Sequence, residues 1–312
     1  MKKYLFKRVV QLPVILLGVI IITFLIVQLS PVDPAVKLAG ASARPEVIEA
    51  YRESLGLNKS LWEQFWNYLI GIFDWDFGMS FSRKMPITTE LKTALINTVY
   101  LVIFARIWSI LAAIPLGVIS AVKQNTWIDK ACMGLSLVGI SVPNFWLALM
   151  LMKIVCVDLK LLPLSGMGTS FFSWNGMKHA ILPAIMLGLP QMASIARITR
   201  SEMLEVLRQD FIRATKAKGL SKRVVLLRHA LKNASLKLVT VIGTQTGYML
   251  SGSVVIENIF AWPGLGRYSI QGILSSDYPV IQASILLFAV MFLIVNLIVD
   301  LTYSYIDPRI KY

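Results

Sequence analysis

The residues best placed to do work here form a basic, regularly patterned segment, not a catalytic constellation. Residues 197–237 read RITRSEMLEVLRQDFIRATKAKGLSKRVVLLRHALKNASLK, with eleven bases and three acids. The apolar spacing predicts two amphipathic helices. The first covers 201–218, with Met203, Leu204, Leu207 and Phe211 on one face, and Gly219 stops it. Ser221 then caps a second, which carries Val224, Val225, Leu227, Leu231 and Leu236. A merely solvated basic loop needs no such pattern. Its chemistry is docking, either onto anionic lipid or into a cytoplasmic protein, and the helix–glycine–helix form favours a compact docked structure.

Reaction chemistry is thin elsewhere. The chain has no GxxxxGK[ST] phosphate loop, no HExxH and no GxSxG. Its two histidines, His179 and His229, lack metal-ligand neighbours at useful spacing, so no metal site is expected. Cys132 and Cys156 sit in apolar stretches as small buried hydrophobes. Arg106 lies inside an apolar stretch, which marks it as a pathway residue or as the partner of Asp300 or another helix. Thr244, Gln245, Thr246 and Tyr248 make another stretch unusually polar, and are expected to face the protein interior or a water-filled path. In the same stretch Gly243, Gly247 and Ser251 recur every fourth residue, a row that permits close helix contact.

The elements that must position these residues are membrane spans. Of 312 residues, 56% are hydrophobic and only 15% charged. That excludes a disordered chain, a disulfide scaffold and nearly every soluble enzyme. A helix needs about 20 apolar residues to cross the hydrocarbon. Six stretches meet or approach that: 9–30, 94–122, 131–152, 179–196, 238–256 and 278–299. The first is longer than a signal-peptide core and reads as an uncleaved span. Pro143, Pro183 and Pro190 read as tolerated kinks. The net charge of +14 divides sharply by side. The N-terminus (Lys2, Lys3, Lys7, Arg8), 123–130, 197–237 and the tail (Asp307, Arg309, Lys311) hold all of it, and the other segments sum to zero. The positive-inside rule then puts both termini in the cytoplasm and makes the chain an all-α polytopic protein of the cytoplasmic membrane. The same distribution removes nucleic acid as a partner.

Three regions follow: an N-terminal end and first span (1–30), an extracytoplasmic loop or cap (31–93), and a five-helix membrane core (94–312) containing 197–237. The loop holds an apolar, Trp-rich stretch from Leu61 to Gly78. Leu61, Phe65, Tyr68, Leu69 and Ile72 share a helical face there. It reads as a helical cap on the membrane interface or as a docking surface for an extracellular partner.

Segment 197–237 also resembles the cytoplasmic "EAA" loop of binding-protein-dependent ABC importer permeases. Gly219 in RATKAKGLS stands at the family's glycine, and Arg213, Ala214 and Thr215 stand at Glu-Ala-Ala, with only the middle alanine kept. That departure resembles the dipeptide/oligopeptide/nickel branch. KRVVQLP near the N-terminus, SVPNFWLA (141–148), ENIFAWPGLGRY (257–268), DYPVIQ (277–282) and the terminal DPRIKY support it, so the resemblance covers essentially the whole chain.

The resemblance implies a six-span, type I ABC importer permease fold and a division of labour. This subunit would pair with a second, homologous permease above two ABC ATPase subunits, with an extracytoplasmic solute-binding protein delivering cargo. The chain would carry no cofactor itself, ATP and magnesium residing in the ATPases. Its first cytoplasmic helix would be the coupling helix, for which Phe211 supplies an apolar knob, Arg213, Lys216 and Lys218 supply bases for acidic rims, and Gly219 supplies the stop. Glu257, Asn258, Trp262, Gly264 and Gly266 form either an interfacial turn anchored by Trp262 or a gate at the mouth of the pathway. The branch carries peptides, nickel and metal chelates. SVPNFWLA and ENIFAWPGLGRY look closer to nickel-type members, and selectivity lies mainly with the binding protein. A secondary transporter and a membrane enzyme with an unrecognised site are the alternatives.

Overall fold

A computed structural model describes residues 2–29, 33–40 and 42–306; the tail residues Asp307, Arg309 and Lys311 lie outside them. The described chain is helical, with a single isolated bridge between Met79 and Pro86. In order, the helices are α1 (Lys2–Gln28), α2 (Pro34–Ala39), α3 (Pro45–Ser54), α4 (Leu61–Phe73), α5 (Ile87–Val122), α6 (Trp127–Ser141), α7 (Asn144–Met152), α8 (Trp174–Leu207), α9 (Asp210–Ala217), α10 (Lys222–Val224), α11 (Leu231–Ile259), α12 (Leu265–Leu274) and α13 (Tyr278–Ile306). Two π-helical turns interrupt the series, at Lys153–Asp158 after α7 and at Val225–Ala230 before α11.

Five helices (α1, α5, α8, α11 and α13) are long and apolar enough to cross a membrane, and the bent pair α6–α7 makes a sixth crossing element. The tolerated kink expected at Pro143 within 131–152 is far sharper than a kink: α6 and α7 meet at 103°. Pro143 is the cause. It removes a backbone donor and forces Val142 out of the helical region, to ψ 132°. The short stretch 179–196 is instead the middle of the 34-residue α8, which accommodates Pro183 and Pro190 within it.

The chain divides into two compact units. One comprises 99–262 and the chain from Ile294 onward; the other comprises Lys2–Thr98 and Pro263–Leu293. In the first, α8 is the central pillar, contacting α6, α7 and α11. Cys132 and Cys156 are buried there as free thiols. In the second, α2 packs on α3, where Arg52 pairs with Asp33 at 2.5 Å.

α4 begins with a capping box in which the Ser60 hydroxyl and the Glu63 carboxylate satisfy each other's backbone N–H groups. Its Phe65 and Tyr68 rings lie against Phe24 of α1, at centroid distances of 5.3 and 6.1 Å.

Candidate functional site

Segment 197–237 is organised differently from two plain amphipathic helices. The first expected helix, 201–218, is broken. α8 runs through to Leu207, Arg208 and Gln209 turn the chain, and α9 is a separate helix of 8 residues. Lys218 and then Gly219, at φ +76°, end it. A positive φ is open to glycine at no steric cost. Ser221 holds the N-cap conformation for the next helix but makes no side-chain cap bond.

The buried face is also shifted. Ile212 is fully buried in a cluster with Ala121 of α5, Met203 and Val206 of α8, Val225 and Ala230 of the π turn, and Ala234 of α11. Leu204, Leu207 and Leu231 pack on that cluster. Phe211 points outward at 37% exposure, and Val224 and Leu227 are also exposed. Thus Ile212 is the one fully buried side chain of α9. Phe211, Arg213, Ala214, Lys216, Lys218 and Gly219 are presented outward, and Thr215, half-buried, donates its hydroxyl to the Ile212 carbonyl at 2.8 Å.

Beneath α9 lies a polar clasp that sequence reading missed. Asp129, in the first turn of α6, is buried and receives Nε and Nη2 of Arg200 on α8, both at 2.7 Å. It also accepts from the Ser120 hydroxyl of α5 and, at 2.9 Å, from the Asn125 backbone N–H. One carboxylate thus ties three helices together with every bond charge-assisted. Lys237 adds an ion pair from α11 to Glu202 of α8 at 2.9 Å.

Within the spans, Arg106 is buried and its Nε, Nη1 and Nη2 make no hydrogen bond in this chain, so it is not bonded to Asp300. Gln245 donates to the Ser194 hydroxyl at 2.8 Å, joining α11 to α8. Tyr248 does not face the chain's interior: it is 73% exposed, and Thr244 lies on the same exposed face. Gly243 and Gly247 of the small-residue row are buried, whereas Ser251 is exposed.

The segment ENIFAWPGLGRY begins as a packed turn. Glu257, Phe260 and Trp262 are buried, the last two among the largest side chains enclosed in the protein. The Trp262 N–H donates to the Glu257 carbonyl at 2.8 Å, and Ala261 takes φ +49° to allow it. Trp262 meets Phe171 edge-on at 6.2 Å, and the Gly166 N–H donates to the Phe260 carbonyl at 2.9 Å. Asn258 bonds back to the Val254 carbonyl at 3.0 Å. Trp262 is therefore a core residue and not an interfacial anchor.

In the other unit, Gly264 caps α12 and Gly266 lies buried within it. Thr98 accepts the Leu265 N–H at 2.8 Å, and Asn97 donates to the Pro263 carbonyl at 2.9 Å. Arg83 pairs with Glu90 at 2.7 Å, bonds Gln271 at 2.8 Å and lies over the Tyr268 ring. Burial, then the neighbouring Glu90 carboxylate, holds the Tyr268 phenol above its ordinary range. A cavity of about 340 Å³ opens beside this group, lined by Glu90, Thr93, Arg267 and Tyr268 among others.

Asp277, after α12, is buried and accepts from Ser80 Oγ at 2.5 Å, Ser82 N at 3.0 Å and Ser82 Oγ at 2.7 Å. Burial raises its pKa, but these hydrogen bonds outweigh burial and hold it below the carboxylate range. Its stabilisation is therefore complete above the unfolded value of about 4 and is lost as pH falls through the folded one. The melting temperature of Asp277→Asn is expected to depend less on acidification than that of the unsubstituted protein, which a paired pH series of melts checks.

These features define a multi-pass helical membrane protein with an outward-presented short helix, α9. The chain belongs to the binding-protein-dependent transport system inner membrane component family: that description matches residues 113–312, and the corresponding N-terminal description matches 1–102. It is 44% identical to the dipeptide transport system permease protein DppB of Alkalihalophilus pseudofirmus, with all of both chains covered. It is 41% identical to the glutathione transport system permease protein GsiC of Salmonella choleraesuis and 40% identical to that of Escherichia coli K12, again over 100% of each chain. A solved amino acid ABC transporter, crystallised with histidines, shares the fold at TM-score 0.52 and 16% identity, covering 70% of this chain and 95% of its own. The chain is accordingly an ABC importer permease subunit of the inner membrane. That family membership sets aside the secondary transporter and the membrane enzyme.

Proposed function

We propose that the chain is one of two homologous permeases in a short-peptide importer, and that α9 is the helix through which ATP hydrolysis drives it. The carrying observation is that α9 buries a single side chain, Ile212, and presents Phe211, Arg213, Lys216 and Lys218 outward. An exposed aromatic flanked by bases suits an apolar cleft with an acidic rim, such as an ATPase subunit supplies. ATP and magnesium reside in that partner, and an extracytoplasmic binding protein delivers cargo. Both termini and α9 then lie in the cytoplasm, as the charge distribution requires.

Coupling follows from what lies under Ile212. A displacement of α9 is passed to α5, α8 and α11 because all three meet in one close-packed cluster, which repacks between discrete states and does not deform continuously. Closure of the ATPases favours one packing and their opening the other. The exposed Tyr248 and Thr244 face of α11 is the surface this chain contributes to a pathway shared with the second permease. Within the same unit Arg106, Gln245, Glu257, Asn258 and Trp262 support that surface from behind, and in the other unit Gly264 and Gly266 set the start of α12. Short peptides are the proposed cargo because the full-length relatives are named for dipeptide and glutathione transport.

The test is Gly219→Pro in the reconstituted four-subunit complex with its binding protein. Proline cannot adopt φ +76°, so the stop after α9 must move. ATP hydrolysis is expected to persist while uptake of labelled dipeptide or glutathione falls about tenfold or more. Unchanged peptide-stimulated uptake defeats the role of α9. Uptake of nickel without uptake of peptide defeats the cargo.

A further inference from the structure

The face of α4 turned away from α1 is unpartnered and apolar. Trp62, Trp66, Ile70 and Phe73 are 71%, 53%, 46% and 82% exposed. Their spacing of four, four and three places them on one stripe of the helix. Phe65 and Tyr68 form a second stripe, against α1. Glu63, Gln64 and Asn67 occupy the remaining side. The helix is thus apolar over two adjoining faces and polar on the third, the cross-section of a helix lying in a membrane interface.

Its depth can be read from two neighbours. The Tyr68 hydroxyl lies 3.2 Å from that of Thr23 on α1 and is also bonded by the Gln282 side chain of α13. Thr23 is five residues before the end of α1, and Gln282 four residues after the start of α13. At about 1.5 Å per residue, both place the Tyr68 hydroxyl roughly 6–8 Å below those helix ends. That depth falls within the roughly 5–10 Å of the headgroup–acyl boundary, where tryptophan is favoured. On α1, against which Phe65 and Tyr68 pack, Ile22 and Leu25 are exposed apolar residues as well.

We infer that α4 is a membrane anchor: the Trp62–Trp66–Ile70–Phe73 stripe inserts into the leaflet on the 31–93 side and fixes that segment at the bilayer surface. The partner is lipid, not the binding protein or the second permease. The inference rests on the topology proposed above.

The experiment uses the complete complex in nanodiscs, with Cys132 and Cys156 replaced by alanine. Single cysteines are placed by Trp66→Cys, Phe73→Cys and, on the polar side, Asn67→Cys, and each is labelled with a small fluorophore. Nitroxide lipids are expected to quench positions 66 and 73 at least about twofold more than position 67, and aqueous iodide is expected to show the reverse order. Iodide reaching all three equally overturns the anchor in favour of a solvated face. Protection of 66 and 73 from both quenchers overturns it in favour of a protein cover. An impermeant thiol reagent applied to cells reports separately on the side. Reaction of Asn67→Cys from the cytoplasm overturns the topology, while the lipid contact is judged by quenching alone.

Discussion

Replacing Arg200 with alanine is expected to cost about 3–5 kcal/mol, because it strands a buried carboxylate. Asp129 would lose both 2.7 Å bonds from the guanidinium and keep the Ser120 and Asn125 donors, which do not neutralise its charge. Arg200 is only 24% exposed at its side chain and Asp129 5%, so solvent screens the pair weakly. At roughly 2–4 °C per kcal/mol, the purified complex should melt about 6–20 °C lower. Asp129→Asn should be milder, since it removes the charge as well as one acceptor. The double variant should then be less damaged than the sum of the singles, by about 1–3 kcal/mol of coupling. Strictly additive melting shifts would show that the two residues stabilise the fold independently.

Enlarging Gly117 is expected to disrupt the packing of two spans. A Cβ there would lie 2.5 Å from Thr199 Cβ and 2.6 Å from the Ala196 carbonyl oxygen on α8. The carbonyl belongs to a helix backbone and cannot step aside. Gly117→Ala gains about 1 kcal/mol in helix propensity but must overpack at a cost of about 1–3 kcal/mol. Gly117→Leu must separate α5 from α8 and with them the base of the clasp. Purification should yield no assembled complex for Gly117→Leu and a reduced yield for Gly117→Ala. Gly18→Leu on α1 is the control, since nothing lies within 4 Å of a Cβ there. Equal yields for Gly117→Leu and Gly18→Leu would overturn the close approach.

The spans were legible because burial in lipid demands long charge-poor runs, a demand that length and composition meet directly. The basic segment was legible too, and Gly219 marked the end of α9 as expected. What escaped depends on distance or phase. Asp129 and Arg200 are 71 residues apart in sequence, and each counted only as a loop charge until the fold joined them. Pro143 read as a mild kink, whereas the loss of helical conformation at Val142 turns the chain through 103°. Phe211 read as sharing a face with Met203, Leu204 and Leu207 because the helix was taken as continuous. The break at Arg208 and Gln209 resets the phase, so Ile212 turns inward instead. Trp62 and Trp66 were absent from the expected α4 face because that face was the one meeting α1, not the one meeting lipid.

The π turn at Val225–Ala230 sits directly between α10, beyond the Gly219 stop, and α11, whose exposed flank carries Tyr248. A π turn accommodates one residue more than its α-helical counterpart, and one residue is about 100° of helix rotation. It therefore acts as a vernier. Absorbing that extra residue elsewhere along the rod would revolve the whole of α11 by nearly a third of a turn, with α9 unmoved. Such a revolution would exchange the tyrosine flank for the Gly243–Gly247 edge without lengthening the helix, and would repack Ala234 against Ile212.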